Sequence, residues 1–322
     1  MKHIAVLTSG GDAPGMNPAI RAVVRTAIYH GLTVSGVYRG YQGLIEDAIE
    51  ELGPRSVANI IQRGGTVLRT ARSKAFMTPE GRARAAENLR RRGVEGLVVI
   101  GGDGSFRGAE ALHREHGVPV IGIPGTIDND IYGTDVSIGF NTAINIALEA
   151  IDRLRDTAAS HDRMFLVEVM GRHAGHIALY AGVAGGAEAI LIPEVPTGLD
   201  EIVRLVQAAE ERGKSSSVVV VAEGAYGGGA VALERDLESE CSFEVRTSIL
   251  GHIQRGGSPS TRDRVLASRL GYFAVEGLLN GESGVMAGVD KRGTVFVPLR
   301  DTWENAKEID WQLYELARVL AV

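Results

Sequence analysis

Short apolar runs that end in glycine, each followed by helical spacing, recur along the chain. The clearest is Leu97-Val98-Val99-Ile100. It runs into Gly101-Gly102-Asp103-Gly104-Ser105, and a helical pattern covers 106–113. An apolar run of this length bounded by glycine reads as a strand buried on both faces. Residues 4–7 form a second such run. Asn17-Pro18 then opens a helix, with Asn17 as cap and Pro18 in the first turn. A strand over 34–38 is followed by a turn at Gly40-Tyr41-Gln42-Gly43. Thr78-Pro79-Glu80 opens a charged helix that ends near Arg92 and reads as a solvated face. A strand over 118–123 leads into Pro124-Gly125-Thr126-Ile127-Asp128-Asn129-Asp130, and an amphipathic helix covers 143–155.

The pattern then restarts. Strands are expected over 164–169, 189–192, 218–222 and 243–250, with helices over 200–212 and 261–279. Strands that alternate with helices predict an α/β fold with parallel sheets covered on both sides. There are enough strands for two doubly wound, mainly parallel-sheet domains. The length of 322 residues allows two, since single cores stop growing near ~250–300 residues. The glycine loops fall at strand carboxyl ends, where ligands of open α/β sheets sit, so the active site is expected in the cleft between the domains.

Composition narrows the function. A net charge of −6 gives no reason to expect nucleic acid or a membrane surface as partner. Cys241 is the single cysteine, which rules out an intrachain disulfide and fits a reducing compartment. No apolar run approaches the ~18–20 residues of a membrane span. Met1-Lys2-His3 leads straight into the first strand, so no targeting segment is expected and the localisation read is cytoplasmic.

The loops carry the candidate chemistry. Gly10-Gly11 and Gly101-Gly102 let backbone approach a phosphate, and Asp103 is a hard oxygen ligand suited to Mg²⁺. Each loop is also readable as a plain βα turn with a polar cap. The chain has no G-x-x-x-x-G-K-[ST] motif. Tyr41 is placed either to stack on a ligand ring or to pack. The first half adds Arg72 and the Asp128/Asp130 pair. The second half offers Arg163, Arg172, Arg246, His252 and Arg255 with Glu223. Arginine forks suit phosphate oxygens, although any one of them is equally a surface ion pair. The simplest chemistry is phosphoryl transfer to a hydroxyl on a phosphorylated acceptor, with Asp128 or Asp130 as base.

Gly10-Gly11-Asp12-Ala13-Pro14-Gly15, Gly102-Asp103-Gly104-Ser105, the stretch 124–130, Met170-Gly171-Arg172 and Gly251-His252-Ile253-Gln254-Arg255-Gly256-Gly257-Ser258-Pro259 occur in this order. Together they closely resemble the bacterial ATP-dependent 6-phosphofructokinase family, from residue 2 to about residue 269. The resemblance implies transfer of the ATP γ-phosphoryl to the 1-hydroxyl of fructose 6-phosphate, the committed step of glycolysis, with Mg²⁺ as cofactor. It implies Asp128 as base and Asp103 as metal ligand, with Gly11, Arg72 and Thr126 at the moving phosphoryl group. ATP would meet Gly11, Tyr41, Arg72, Ser73, Gly102, Asp103, Gly104 and Ser105. The sugar phosphate would meet Thr126, Asp128, Asp130, Arg163, Met170, Gly171, Arg172, Glu223, Arg246, His252 and Arg255.

In this family Arg163 and Arg246 come from a neighbouring subunit, which implies a homotetramer. The implied domains are a larger ATP-binding one (1–139 with 252–301) and a smaller sugar-phosphate-binding one (140–251 with 302–322). Pyrophosphate-dependent relatives typically carry Asp at the position of Gly104 and Lys at that of Gly125, so this chain resembles the ATP type. A sensor without turnover is the reading of another class; Asp103, Asp128 and Arg72 argue against it. An effector site for ADP and phosphoenolpyruvate maps to Arg21, Arg25, Arg155, Glu188, Arg212 and Lys214. Ser215-Ser216-Ser217 and Pro54 depart from the family there and leave effector sign open.

Overall fold

The computed structural model describes residues 1–158, 164–211, 217–240 and 244–321. In chain order the elements are β1 (His3–Thr8), α1 (Met16–Tyr29), β2 (Thr33–Val37), α2 (Gly40–Glu46), β3 (Ile49–Glu51), α3 (Pro79–Arg91), β4 (Gly96–Gly101), α4 (Asp103–His116), β5 (Val120–Thr126), β6 (Ile138–Gly139) and α5 (Phe140–Ala158). They continue with β7 (Met164–Val169), α6 (His176–Ala184), β8 (Ala189–Leu191), α7 (Leu199–Glu211), β9 (Ser217–Ala222), α8 (Gly229–Glu238), β10 (Val245–Ile249), α9 (Thr261–Leu279), β11 (Val285–Asp290), β12 (Gly293–Pro298), α10 (Asp301–Glu304) and α11 (Trp311–Leu320). Two compact units result. One is Met1–Thr126, Ile131–Asn141 and Arg255–Lys307; the other is Ile127–Asp130, Thr142–Gln254 and Glu308–Val322.

The first unit holds a sheet of order β12-β11-β5-β4-β1-β2-β3, with β6 paired to β5. Its centre is parallel, with Leu7 opposite Val99 and Val99 opposite Gly122. Both faces of β4 are covered, which is why Leu97, Val98, Val99 and Ile100 can all be apolar and wholly buried. Antiparallel edges are added by β3 and by the β11–β12 hairpin. The second unit holds a smaller, wholly parallel sheet of order β10-β7-β9-β8. Its core is built from Leu166, Val219, Val221, Leu233 and Leu237.

Local chemistry changes two expectations. The stretch 40–43 is the start of a helix rather than a turn. Arg39 takes a left-handed conformation (φ 65°) that ends β2, and burial of Leu44 and Ile45 then drives α2 onto the core. Gly43 is required there, because a Cβ would lie 1.7 Å from the Tyr38 carbonyl oxygen. Asn17 is not the cap of α1. The helix begins at Met16 behind Gly15 (φ 118°), and the Asn17 amide donates to the carbonyls of Arg63 and Gly64 while accepting from the Val67 N–H at 2.7 Å. It thereby fastens the loop before Arg72. The start of α3 is as expected, and Thr78 caps it: its hydroxyl accepts from the Gly81 N–H and Pro79 follows.

Candidate active site

In the first unit β1, β4 and β5 lie side by side and run the same way, so the segments after them meet at one end of the sheet. The Ser9 N–H donates to the Ile100 carbonyl at 3.0 Å. A Cβ on Gly10 would be 3.3 Å from the Ser105 hydroxyl, and one on Gly101 would be 2.5 Å from both that hydroxyl and the Ser9 carbonyl oxygen. The two glycine loops therefore close on each other over a buried serine. Thr126 ends β5 beside them, its Cβ 3.9 Å from where a Cβ on Gly102 would stand.

The turn after β4 is shorter than expected. Asp103 opens α4, so Asp103, Gly104 and Ser105 make its first turn, where the helix dipole favours an anion. Asp103 is partly exposed. Its Oδ1 accepts from the Gly104 N–H at 2.6 Å, and its Oδ2 lies 3.8 Å from the Nε of Arg107. Gly104 has open space where a side chain would go. Among the described residues no three His, Cys, Asp or Glu side chains gather to hold a metal. What Asp103 offers is a hard carboxylate oxygen at a helix N-terminus, the donor type that Mg²⁺ takes beside phosphate oxygens and water.

Of the two readings of Tyr41, the structure shows the contacts of packing: it is buried, stacks on Phe76 with 4.0 Å between ring centres, and donates its hydroxyl to the Ser105 carbonyl at 2.5 Å. Burial pushes its phenol pKa far up. Ser73 is likewise used within the fold, donating to Gln42 and accepting from the Phe76 N–H. Arg72 is exposed. The loop before it is tied to β1 by the Thr8 hydroxyl, which meets Thr66 at 2.9 Å and the Arg69 carbonyl at 3.0 Å. Arg255 reaches the same loops. Its guanidinium donates to the Asp12 carbonyl at 3.2 Å and lies against Gly11.

The second unit takes Ile127–Asp130. Asp128 is 4% exposed, and Asn129 beside it is left-handed at φ 55°. Asp130 is half-buried. At the carboxyl ends of β7 and β9, Gly171 (φ 149°) and Arg172 (φ 55°) form an unusual turn. One oxygen of Glu223 accepts from both of its N–H groups, at 3.2 and 2.5 Å. The Met170 N–H donates to the fully buried Gln254 at 2.8 Å, which fixes the 251–255 helical turn to the end of β7. Sequence reasoning missed the anchoring roles of Asn17 and Gln254; both sit in motifs already noticed, but nothing in those motifs shows which member faces inward.

Arg172 and His252 are exposed at that end. Arg246 is not with them. It is the second residue of β10, in register with Phe165, and pairs with Glu244. Four residue steps of extended chain, roughly 13 Å, lead from it to Leu250. Arg163, Arg212 and Lys214 lie outside the described residues. Of the expected effector residues, Arg155 donates to the carbonyls of Gly185 and Gly186 and stands 3.5 Å from Glu188, whose other oxygen accepts from the Val218 N–H. Arg21 and Arg25 lie one turn apart on α1 in the first unit.

By architecture this is an α/β protein whose parallel strands end in glycine loops bearing carboxylates and arginines. By sequence the chain belongs to the Phosphofructokinase family, whose profile matches residues 3–278. It is 59% identical over 322 residues, all of both chains, to ATP-dependent 6-phosphofructokinase 1 of Thermus thermophilus. It is 56% identical, again over all of both chains, to ATP-dependent 6-phosphofructokinase of Bacillus pumilus. The solved phosphofructokinase of Saccharomyces cerevisiae aligns at a TM-score of 0.90 and 37% identity, over 100% of this chain and 48% of that longer one. No helix among the described residues is long and apolar enough to cross a membrane.

Proposed function

We propose that the chain is an ATP-dependent 6-phosphofructokinase. It transfers the γ-phosphoryl group of ATP to the 1-hydroxyl of fructose 6-phosphate and yields fructose 1,6-bisphosphate and ADP. The observation that carries this reading is full-length identity of 59% to an enzyme of that name, in a chain that holds Asp103 at a helix N-terminus beside an open Gly104.

The roles follow from chemistry. The first unit binds nucleotide: Gly11, Gly102 and the first turn of α4 offer backbone to the phosphates, and Arg72 neutralises charge on the moving phosphoryl group. Asp103 would hold Mg²⁺, which when bound would shield the phosphate oxygens. Thr126 lies beside the transfer, and Asp128 accepts the proton of the attacking hydroxyl as the new P–O bond forms. Met170, Gly171, Arg172, Glu223 and Asp130 orient the sugar, and His252 and Arg255 take the 6-phosphate. Arg246 is separated from the other second-unit residues by most of a strand, which supports its serving, with Arg163, the site of another copy in a homotetramer. Arg21, Arg25, Arg155, Glu188, Arg212 and Lys214 are assigned to effector binding, for ADP and phosphoenolpyruvate, between subunits. A cytoplasmic location goes with these substrates.

A coupled assay of fructose 1,6-bisphosphate formation tests the reading, with Mg-ATP and Mg-pyrophosphate compared at fixed fructose 6-phosphate. Turnover with ATP alone is expected. Turnover with pyrophosphate alone overturns the donor assignment, and none with either overturns the activity.

A further inference from the structure

Arg107 stands one helical turn after Asp103 on α4, and nothing in the roles above uses it. Its guanidinium lies over the ring of Trp303, with the central carbon 5.1 Å from the ring centre. That indole is a fixed platform, partly buried against the core that contains Phe106, Leu112 and Leu299. Thr302 beside it is buried and bonds the Leu299 carbonyl. The nearest carboxylate to Arg107 is Asp103, at 3.8 Å, beyond hydrogen-bond distance.

Neighbouring arginines behave differently. Arg82 grips Glu115 with two bonds of 2.6 and 3.0 Å, and Arg300 holds Glu304 at 2.6 Å. Arg82 has its donors engaged, and Arg300 is bonded through its Nε. Arg107 sits over the indole and makes no hydrogen bond within the described residues. A cation–π contact uses none of the N–H donors, so those of Arg107 stay available for a two-point grip on phosphate. The side chain is 55% exposed, on the side of the helix where Asp103 stands and next to the space left open at Gly104.

We infer that Arg107 is a further nucleotide-binding residue of this chain, held by Trp303 so that its free donors meet the polyphosphate of a nucleoside triphosphate beside Asp103. The inference rests on the nucleotide-site reading of the first unit. Before nucleotide arrives, Arg107 offsets the charge of Asp103. When phosphate oxygens arrive at Asp103, they come within reach of the guanidinium, whose stacking on the indole is kept.

The test is calorimetric titration of the full-length protein with Mg²⁺ and the β,γ-imido analogue of ATP, and separately with Mg²⁺ and inorganic tripolyphosphate. Arg107→Gln is expected to weaken both roughly tenfold, and Arg107→Lys to restore only part, because an ammonium cannot stack and fork together. The KM for fructose 6-phosphate stays unchanged. In a Trp311→Phe background Trp303 is the only indole, and its emission should respond to the analogue in the parent but not after Arg107→Gln. Unchanged affinity in Arg107→Gln overturns the inference while leaving the nucleotide site standing. Weakening for the nucleotide analogue alone overturns the phosphate contact. A parent protein that binds neither probe overturns the site reading itself. Far-UV circular dichroism of each variant confirms that exposed substitutions leave the fold intact.

Discussion

Arg255 lies across Gly11. A Cβ on Gly11 would come within 2.6 Å of one guanidinium nitrogen, and that nitrogen donates to the carbonyl of Asp12. The glycine is needed at this point for closeness, since the backbone there is not left-handed. Gly11→Ala should therefore move the tip of Arg255 and leave the fold alone. The expected result is a melting temperature within a few degrees of the parent and a loss of roughly tenfold or more in kcat/KM. Steady-state kinetics beside thermal melts checks it.

Asp128 is buried, on a segment whose next residue is left-handed. If it is the base, Asp128→Ser lowers kcat by about 10²–10⁴ and leaves the KM for fructose 6-phosphate within a few-fold. A parallel rise of KM with unchanged kcat would assign it to binding.

Glu223 holds two consecutive N–H groups of a turn with positive φ at both residues. Glu223→Leu leaves those donors without their acceptor, and each such loss costs about 1–3 kcal/mol. The KM for fructose 6-phosphate should rise roughly tenfold or more, while the KM for ATP holds. Glu223→Gln keeps one acceptor oxygen and should fall between.

Nothing lies within 4 Å of a Cβ placed on Gly104. Gly104→Asp should therefore fold as well as the parent, helped by an acid in the first turn of a helix. The same charge opposes nucleotide phosphates. Mg-ATP turnover should drop roughly tenfold or more at subsaturating ATP, with melting temperature unchanged or higher.

Asp47 joins the ends of α2 and α3. Hydrogen bonds from Arg92, at 3.0 and 2.8 Å, and the charges of Arg92 and Arg91 hold its carboxyl below the usual range. A lowered folded pKa means stability that is full above the unfolded value, about 3.9, and is lost as pH falls through the folded one. Asp47→Asn keeps a residue that tolerates the left-handed backbone at φ 59°. It should cost under about 1 kcal/mol at pH 7. The gap in melting temperature should close as the pH is taken well below 4 and narrow in high salt.

The sequence by itself determined the class of fold and the set of chemistry-bearing residues. Strands buried on both faces need unbroken apolar runs, and the turns after them need glycine, so β4, β7 and the limits of α9 were legible from residue type alone. The charged face of α3 and its start at Thr78-Pro79 were legible for the same local reason. Tertiary structure decided where polar groups point. Tyr41 became core because Phe76 and the Ser105 carbonyl take its ring and its hydroxyl, and Asn17 left the helix cap because a loop some fifty positions away needed its amide. Gln254, Glu223 and Arg107 owe their roles to partners distant in sequence: Met170, the 171–172 turn and Trp303. The edge strands β3, β11 and β12 and the short helix α10 were also hidden, since pairing at a sheet edge depends on what the neighbouring strand leaves unbonded. Hydrophobic periodicity is a local property and survives in the sequence. A hydrogen bond across the fold is fixed only when the backbone brings two distant groups together.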